Sequence, residues 1–203
     1  MRKLTKVKRI KPKPITRGLV LYNGPSVLDG SPIVVIATMK TSNRKTGDMI
    51  QTWILRSDEN PVEASKLGLD QSICGNCPLR RHHGGACYVN LGQAPLSIYK
   101  AYKRGAYPKY DQAKHAALFF SRKLRLGAYG DPAAVPYEVF KPLVDLSLMH
   151  TGYTHQVRHK NFDIRYLNIC MVSADTPKQA SKYQAIGART FRVAIANDNL
   201  AEN

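Results

Sequence analysis

From residue 123 to residue 195 the chain alternates short apolar runs with amphipathic stretches, and this rhythm constrains the fold more than any other feature. The reading is a strand over 123–129, a helix over 136–149, strands over 151–155 and 167–173, a helix over 176–186 and a strand over 188–195. Strands spaced by helices in this way mark βα units and a parallel sheet. Upstream the pattern differs. Three β-like runs stand at 18–22, 33–38 and 49–55, and the last two flank a polar, turn-rich tip, Ser42 to Asp48, that suits a long-looped hairpin. The expected fold is therefore α/β: an N-terminal β-hairpin region packed on a partly parallel sheet or partial barrel of βα units, with an irregular Cys-rich metal loop at 72–90. A short helix is expected with Asp58 or Asn60 as cap, Pro61 in its first turn and Gly68 at its end. Two more are expected from Pro95 to about Gly105 and from about Tyr110 to Ser121.

At 203 residues the chain can bury an apolar core without disulfide staples. No apolar run reaches the roughly 20 residues of a membrane span. The N-terminus lacks the apolar stretch and cleavage site of a secretory signal, so the expectation is a cytoplasmic protein with no membrane partner. Residues 18–203 read as one domain. Residues 1–17 read as a flexible basic arm punctuated by Pro12 and Pro14.

Charge narrows the class of partner. The chain holds 31 Lys and Arg against 14 Asp and Glu, a formal charge of +17. Eight of those cations fall within residues 1–17 with no acid, and ten fall within residues 71–130 against the single acid Asp111. Two acid-poor stretches exceed what solubility requires and form the footprint of a polyanion binder, with nucleic acid the natural partner.

Three of the four cysteines lie within fourteen residues: Cys74, Cys77 and Cys87. In a reducing compartment such clustering in a glycine-containing loop argues for a metal rather than a disulfide. Two ligand sets fit. Cys74, Cys77, His82 and Cys87 have the C-x2-C-x4-H-x4-C spacing of a zinc knuckle. Alternatively, Cys74, Cys77, Cys87 and distant Cys170 supply four thiolates for a [4Fe-4S] cluster. Pro78 stands where a knuckle usually has glycine, and Gly75 stands where it usually has an aromatic residue, which tips the balance to iron-sulfur. Cys170 lies in an apolar run and on its own reads as core.

The runs Gly24-Pro25-Ser26, Ser42-Asn43-Arg44-Lys45-Thr46-Gly47-Asp48-Met49-Ile50-Gln51-Thr52, Ile73-Cys74-Gly75-Asn76-Cys77, Cys87-Tyr88-Val89-Asn90 and Gly130-Asp131-Pro132 resemble those of a family of uncharacterised bacteriophage proteins. The resemblance spans most of the chain. It implies a phage or mobile-element protein acting in a bacterial cytoplasm, in a setting of DNA metabolism, and carries no activity with it.

Between residues 98 and 110, tyrosines alternate with cations: Tyr99, Lys100, Tyr102, Lys103, Arg104, Tyr107 and Lys109. Single-strand binders combine a cationic track for phosphates with aromatic faces for bases. Arg44 and Lys45 on the hairpin tip, and Arg80 and Arg81 in the cysteine loop, extend the candidate surface. On a helix Tyr99 and Lys103 share a face and Tyr102 is displaced from it, so at least one tyrosine ring is expected in the core.

In parallel sheets, ligands meet the carboxyl ends of the strands. Asp131 and Asp175 follow two of the predicted strands and His155 ends a third; these are the candidate catalytic residues, while Arg192, within the last predicted strand, could hold an anion. Asp175 and Asp131 are equally suited to cap the turns that follow them. The leading expectation is a protein binding nucleic acid, single-stranded DNA above all, with a structural metal site. The alternative is an enzyme acting on nucleic acid, either an iron-sulfur enzyme loosely like the radical S-adenosylmethionine class or a metal-dependent phosphodiesterase.

Overall fold

A computed structural model describes residues 16–41 and 46–193. Most of the basic arm and the hairpin tip with Arg44 and Lys45 lie outside the described residues.

Five strands form one mixed sheet in the order β1-β2-β3-β4-β5: Gly18–Pro25, Pro32–Thr38, Ile50–Arg56, Lys123–Tyr129 and Met149–Thr151. The first three pair antiparallel, and β3-β4 and β4-β5 pair parallel. The expected hairpin is thus part of the same sheet as the βα portion, and the sheet stays open rather than closing into a barrel. Residues Ile33 to Ala37 of β2 are all fully buried, which explains their unbroken apolar run: a strand covered on both faces has no polar side to alternate with. Thr52 is buried in β3. Its hydroxyl donates to the Arg125 carbonyl at 3.1 Å and accepts from the Gly127 N–H at 2.9 Å, holding the register shift between β3 and β4.

The parallel pairing of β3 with β4 requires a long crossover. Residues 57–122 supply it, carrying α1 (Pro61–Lys66), α2 (Gln71–Cys74), the cysteine loop, α3 (Ala94–Lys103) and α4 (Gln112–His115). Asn60 is the cap of α1, its side chain accepting from the Val62 and Glu63 N–H groups. The helix expected over 110–121 reduces to the single turn α4 and a 3-10 turn at 116–118, because Phe119 must enter the core and Tyr110 must pack edge-on against it. Residues 108–110 run beside β1, exchanging Val20 N–H to Pro108 carbonyl and Tyr110 N–H to Val20 carbonyl bonds, which covers that edge.

Helix α5 (Tyr137–Leu146) connects β4 to β5 and buries Tyr137, Phe140 and Leu143 at three-residue spacing. After β5 the chain enters a second, parallel sheet of β6 (Tyr153–Thr154), β7 (Met171–Ser173) and β8 (Thr190–Phe191), with α6 (Pro177–Gln184) between the last two. The expected strands 151–155, 167–173 and 188–195 shorten accordingly. Val172, Ala174, Tyr183 and Ala188 form a small core of their own beside the main one.

Candidate metal centre and strand-end pocket

Cys74 ends α2, Cys77 follows a tight turn, and Cys87 returns across a glycine-containing stretch, so that all three thiols line one cavity of about 30 Å3 with Asp70, Arg80 and Tyr129. Among the described residues no group of three His, Cys, Asp or Glu side chains is disposed to hold a metal as it stands. Ligation therefore requires the three thiols to rearrange about that cavity. Burial, reinforced by Asp70 and the other thiols, raises the Cys74 thiol well above its usual value, and burial pushes Cys77 up to about 11. Both are neutral thiols near pH 7, and a bound metal would have to displace their protons.

The two candidate fourth ligands lie elsewhere. The Cys170 side chain is in the core against Gly152 and Leu126. The His82 Nδ1 stands 3.2 Å from the Lys66 carbonyl and its ring lies over Gly68, outside the cavity lining. Asp70 is the carboxylate that the cavity does contain.

The loop is seated by residues far along the chain. Gln156 is buried; its Oε1 accepts from the Asn76 N–H at 3.1 Å, while its Nε2 donates to the Cys74 carbonyl at 2.8 Å and to Asp131 Oδ2 at 3.3 Å. Asp131 Oδ1 accepts from the Ala133 N–H and Oδ2 from the His155 N–H, and the Asp131 N–H donates to the Ile73 carbonyl. Burial raises the Asp131 carboxyl above its ordinary value, opposed by these donors. Asp131 thus couples the end of β4, the end of β6 and the cysteine loop from a buried position. Gly75 makes the clamp possible: its φ is 51° and ψ −127°, and a Cβ there would collide with the Gln156 amide.

Arg80 is buried and fully engaged, with 2.6 and 2.9 Å bonds to Asp70 Oδ1 and further bonds to the Gly68 and Gly75 carbonyls. It props the loop from inside. Arg81 is exposed and donates to the Val89 carbonyl at 3.0 Å and the Cys87 carbonyl at 3.4 Å. These bonds bracket Tyr88, a residue 75 % exposed whose hydroxyl accepts from Arg125 at 2.9 Å.

Along α3 and beyond, Lys100, Lys103, Arg104 and Lys109 are exposed. Their tyrosines are not. Tyr99 is buried, Tyr102 packs against the core with its hydroxyl accepting from Asn23, and Tyr107 lies against Gly18 at the start of β1. Sequence alternation could not distinguish stacking rings from packing rings. Tyr88 and Arg125 were missed, although a tyrosine immediately after a candidate ligand was a signal to weigh.

His155 and Asp175 do come together, His155 Nε2 lying 3.7 Å from Asp175 Oδ1. They share a polar cavity of about 250 Å3 at the carboxyl ends of β6 and β7 with Arg158, His159 and Ser173. Asp131 is not among the residues lining it. Arg192 follows β8 and also lies outside that lining. Among the described residues no helix is long and apolar enough to cross a membrane. No protein-family model, curated protein or solved structure matches the chain.

Proposed function

We propose that this chain binds single-stranded nucleic acid across the face of a cysteine loop closed by a metal centre. The observation that carries the reading is the convergence of Cys74, Cys77 and Cys87 on one cavity, with the exposed Tyr88 next in sequence to Cys87, its hydroxyl accepting from Arg125 and the carbonyls on either side of it accepting from Arg81. An exposed ring offers a stacking face, and flanking guanidinium groups suit phosphates. The exposed Lys100, Lys103, Arg104 and Lys109 extend the positive surface.

Three thiols without a fourth suit an iron-sulfur cluster held at three corners. The second possibility is one zinc ion with the Asp70 carboxylate as its oxygen ligand. Either group would cross-link α2 to the returning chain at Cys87 and fix the backbone that carries Tyr88. An iron-sulfur enzyme is the second functional reading. It is favoured by the same three-thiol set, which leaves a coordination position free, and by the polar cavity that Asn76 and Pro78 of the same loop line.

The test is anaerobic purification with metal analysis, followed by single-stranded DNA binding over a salt series. Iron with sulfide and visible absorption marks the cluster, and colourless protein with one zinc marks the other. Affinity is expected to fall by about 0.7 log units per log unit of salt for each phosphate contact. Tyr88→Ala should weaken binding by about 1–3 kcal/mol and leave that slope intact. Absence of binding near physiological salt, or full affinity in Tyr88→Ala, overturns the reading.

A further inference from the structure

The cavity at the ends of β6 and β7 has a composition that strand binding does not use. His155 follows β6 directly, and its backbone N–H is fixed by Asp131 Oδ2 at 2.8 Å. Arg158 and His159 project from the helical turn that Gln156 begins. Ser173 ends β7, and the Asp175 N–H is tied to Gln179 Oε1 at 2.8 Å. Asn76, from between Cys74 and Cys77, also lines the cavity. The side chains come from three separate elements and face a space of about 250 Å3, just under the ~300 Å3 at which pockets for larger ligands begin.

Arg158 carries a permanent positive charge, and two imidazoles and a hydroxyl stand with it as hydrogen-bond donors suited to a multi-oxygen anion. Asp175 accepts and does not donate when ionised, so it suits a ligand's hydroxyl groups rather than its charge. One small ligand needs both: a sugar phosphate, with its phosphate toward Arg158 and His159 and its hydroxyls toward Asp175 and Asn76. Ligands of this kind favour the carboxyl ends of parallel strands, where a carboxylate on a ribose hydroxyl is a recurring arrangement.

We infer that this cavity binds the ribose-phosphate portion of a nucleotide. The inference goes beyond strand binding at Tyr88 and stands without it, since the lining residues of the cavity do not include Tyr88, Arg81 or Arg125. The nucleotide could be free or the phosphorylated end of a strand, and the chemistry recognised is the same.

The experiment is calorimetric titration of the purified full chain with ribose 5-phosphate, 5′-AMP and adenosine. Ribose 5-phosphate and 5′-AMP are expected to bind and adenosine to bind at least tenfold more weakly. Arg158→Ala should weaken 5′-AMP by about 10- to 100-fold, the range for losing a hydrogen bond to a charged group. Asp175→Asn should weaken 5′-AMP while leaving inorganic phosphate unchanged, a readout that a merely misfolded variant would not give. A 5′-phosphorylated oligonucleotide competing more strongly than 5′-AMP places the ligand at a strand end; the reverse order places it as a free nucleotide. Equal binding of adenosine and 5′-AMP, or undiminished 5′-AMP affinity in Arg158→Ala, overturns the inference. Single-stranded DNA binding should survive Arg158→Ala, so failure here is distinguishable from failure of the strand-binding reading.

Discussion

Gly75 and Gly84 sit in the same loop, both with positive φ, yet their replacement by alanine should have very different consequences. Gly84 has φ 73° and ψ 10°, and an added Cβ meets nothing. Gly84→Ala therefore costs only the left-handed penalty of an L residue, about 1–2 kcal/mol. Gly75→Ala suffers backbone strain of about 1–3 kcal/mol and also displaces Gln156, whose three hydrogen bonds to Asn76, Cys74 and Asp131 are each worth about 1 kcal/mol net. The expected total is about 4–6 kcal/mol, a large part of the roughly 5–15 kcal/mol that stabilises an ordinary domain. Urea titration followed by circular dichroism measures both variants. Repeating Gly75→Ala in a Gln156→Ala background removes the collision, so its cost there should fall to the backbone contribution alone. Equal midpoints for Gly75→Ala and Gly84→Ala, or no relief in the double variant, would refute the clamp.

Two further outcomes bear on the loop. Arg80→Ala leaves the Asp70 carboxylate buried without its partner and should cost about 3–5 kcal/mol in a denaturant titration; because Arg80 is enclosed, the salt slope of strand binding should not change, and a flatter slope would return Arg80 to the binding surface. In metal-free protein, burial and the nearby Asp131 carboxylate hold Cys77 as a thiol up to about pH 11, so its alkylation by iodoacetamide, followed by peptide mapping, should keep accelerating well past pH 9. A profile that levels off near the free-thiol value of about 8.5 would show the site is open to water.

The main sheet was legible because its strands carry their burial in their residue types. The run Ile33 to Ala37 is apolar without interruption, and the strand is enclosed on both faces. The second sheet was legible only in outline. Its three strands are only two or three residues long, too few for a period to register, and the first two residues of the predicted strand 167–173 belong instead to a 3-10 turn, 164–168, that seats Tyr166 in the core. The three-cysteine cluster was visible from spacing, but its surroundings were not. Asp70, Arg80 and Tyr129 converge on it from positions that only the crossover brings together. Likewise, the pairing of His155 with Asp175 followed from their places at strand ends, whereas Asp131, equally well placed in sequence, turned inward. Three internal donors to its carboxylate explain that difference.

The long crossover between β3 and β4 also sets an order of events during synthesis. The antiparallel strands β1, β2 and β3 are adjacent in sequence and can pair early, since short loops close quickly. Cys74, Cys77 and Cys87 leave the ribosome next, but the carboxylate and the amide that seat their loop belong to residues 131 and 156. Until β4 and the turn after β6 have been made, the thiols have no clamp and face water, where a thiol is more acidic than in the finished cavity. If the loop holds the metal proposed above, the nascent chain is better prepared to capture it than the completed one, and the late arrival of Asp131 and Gln156 would close the loop afterwards.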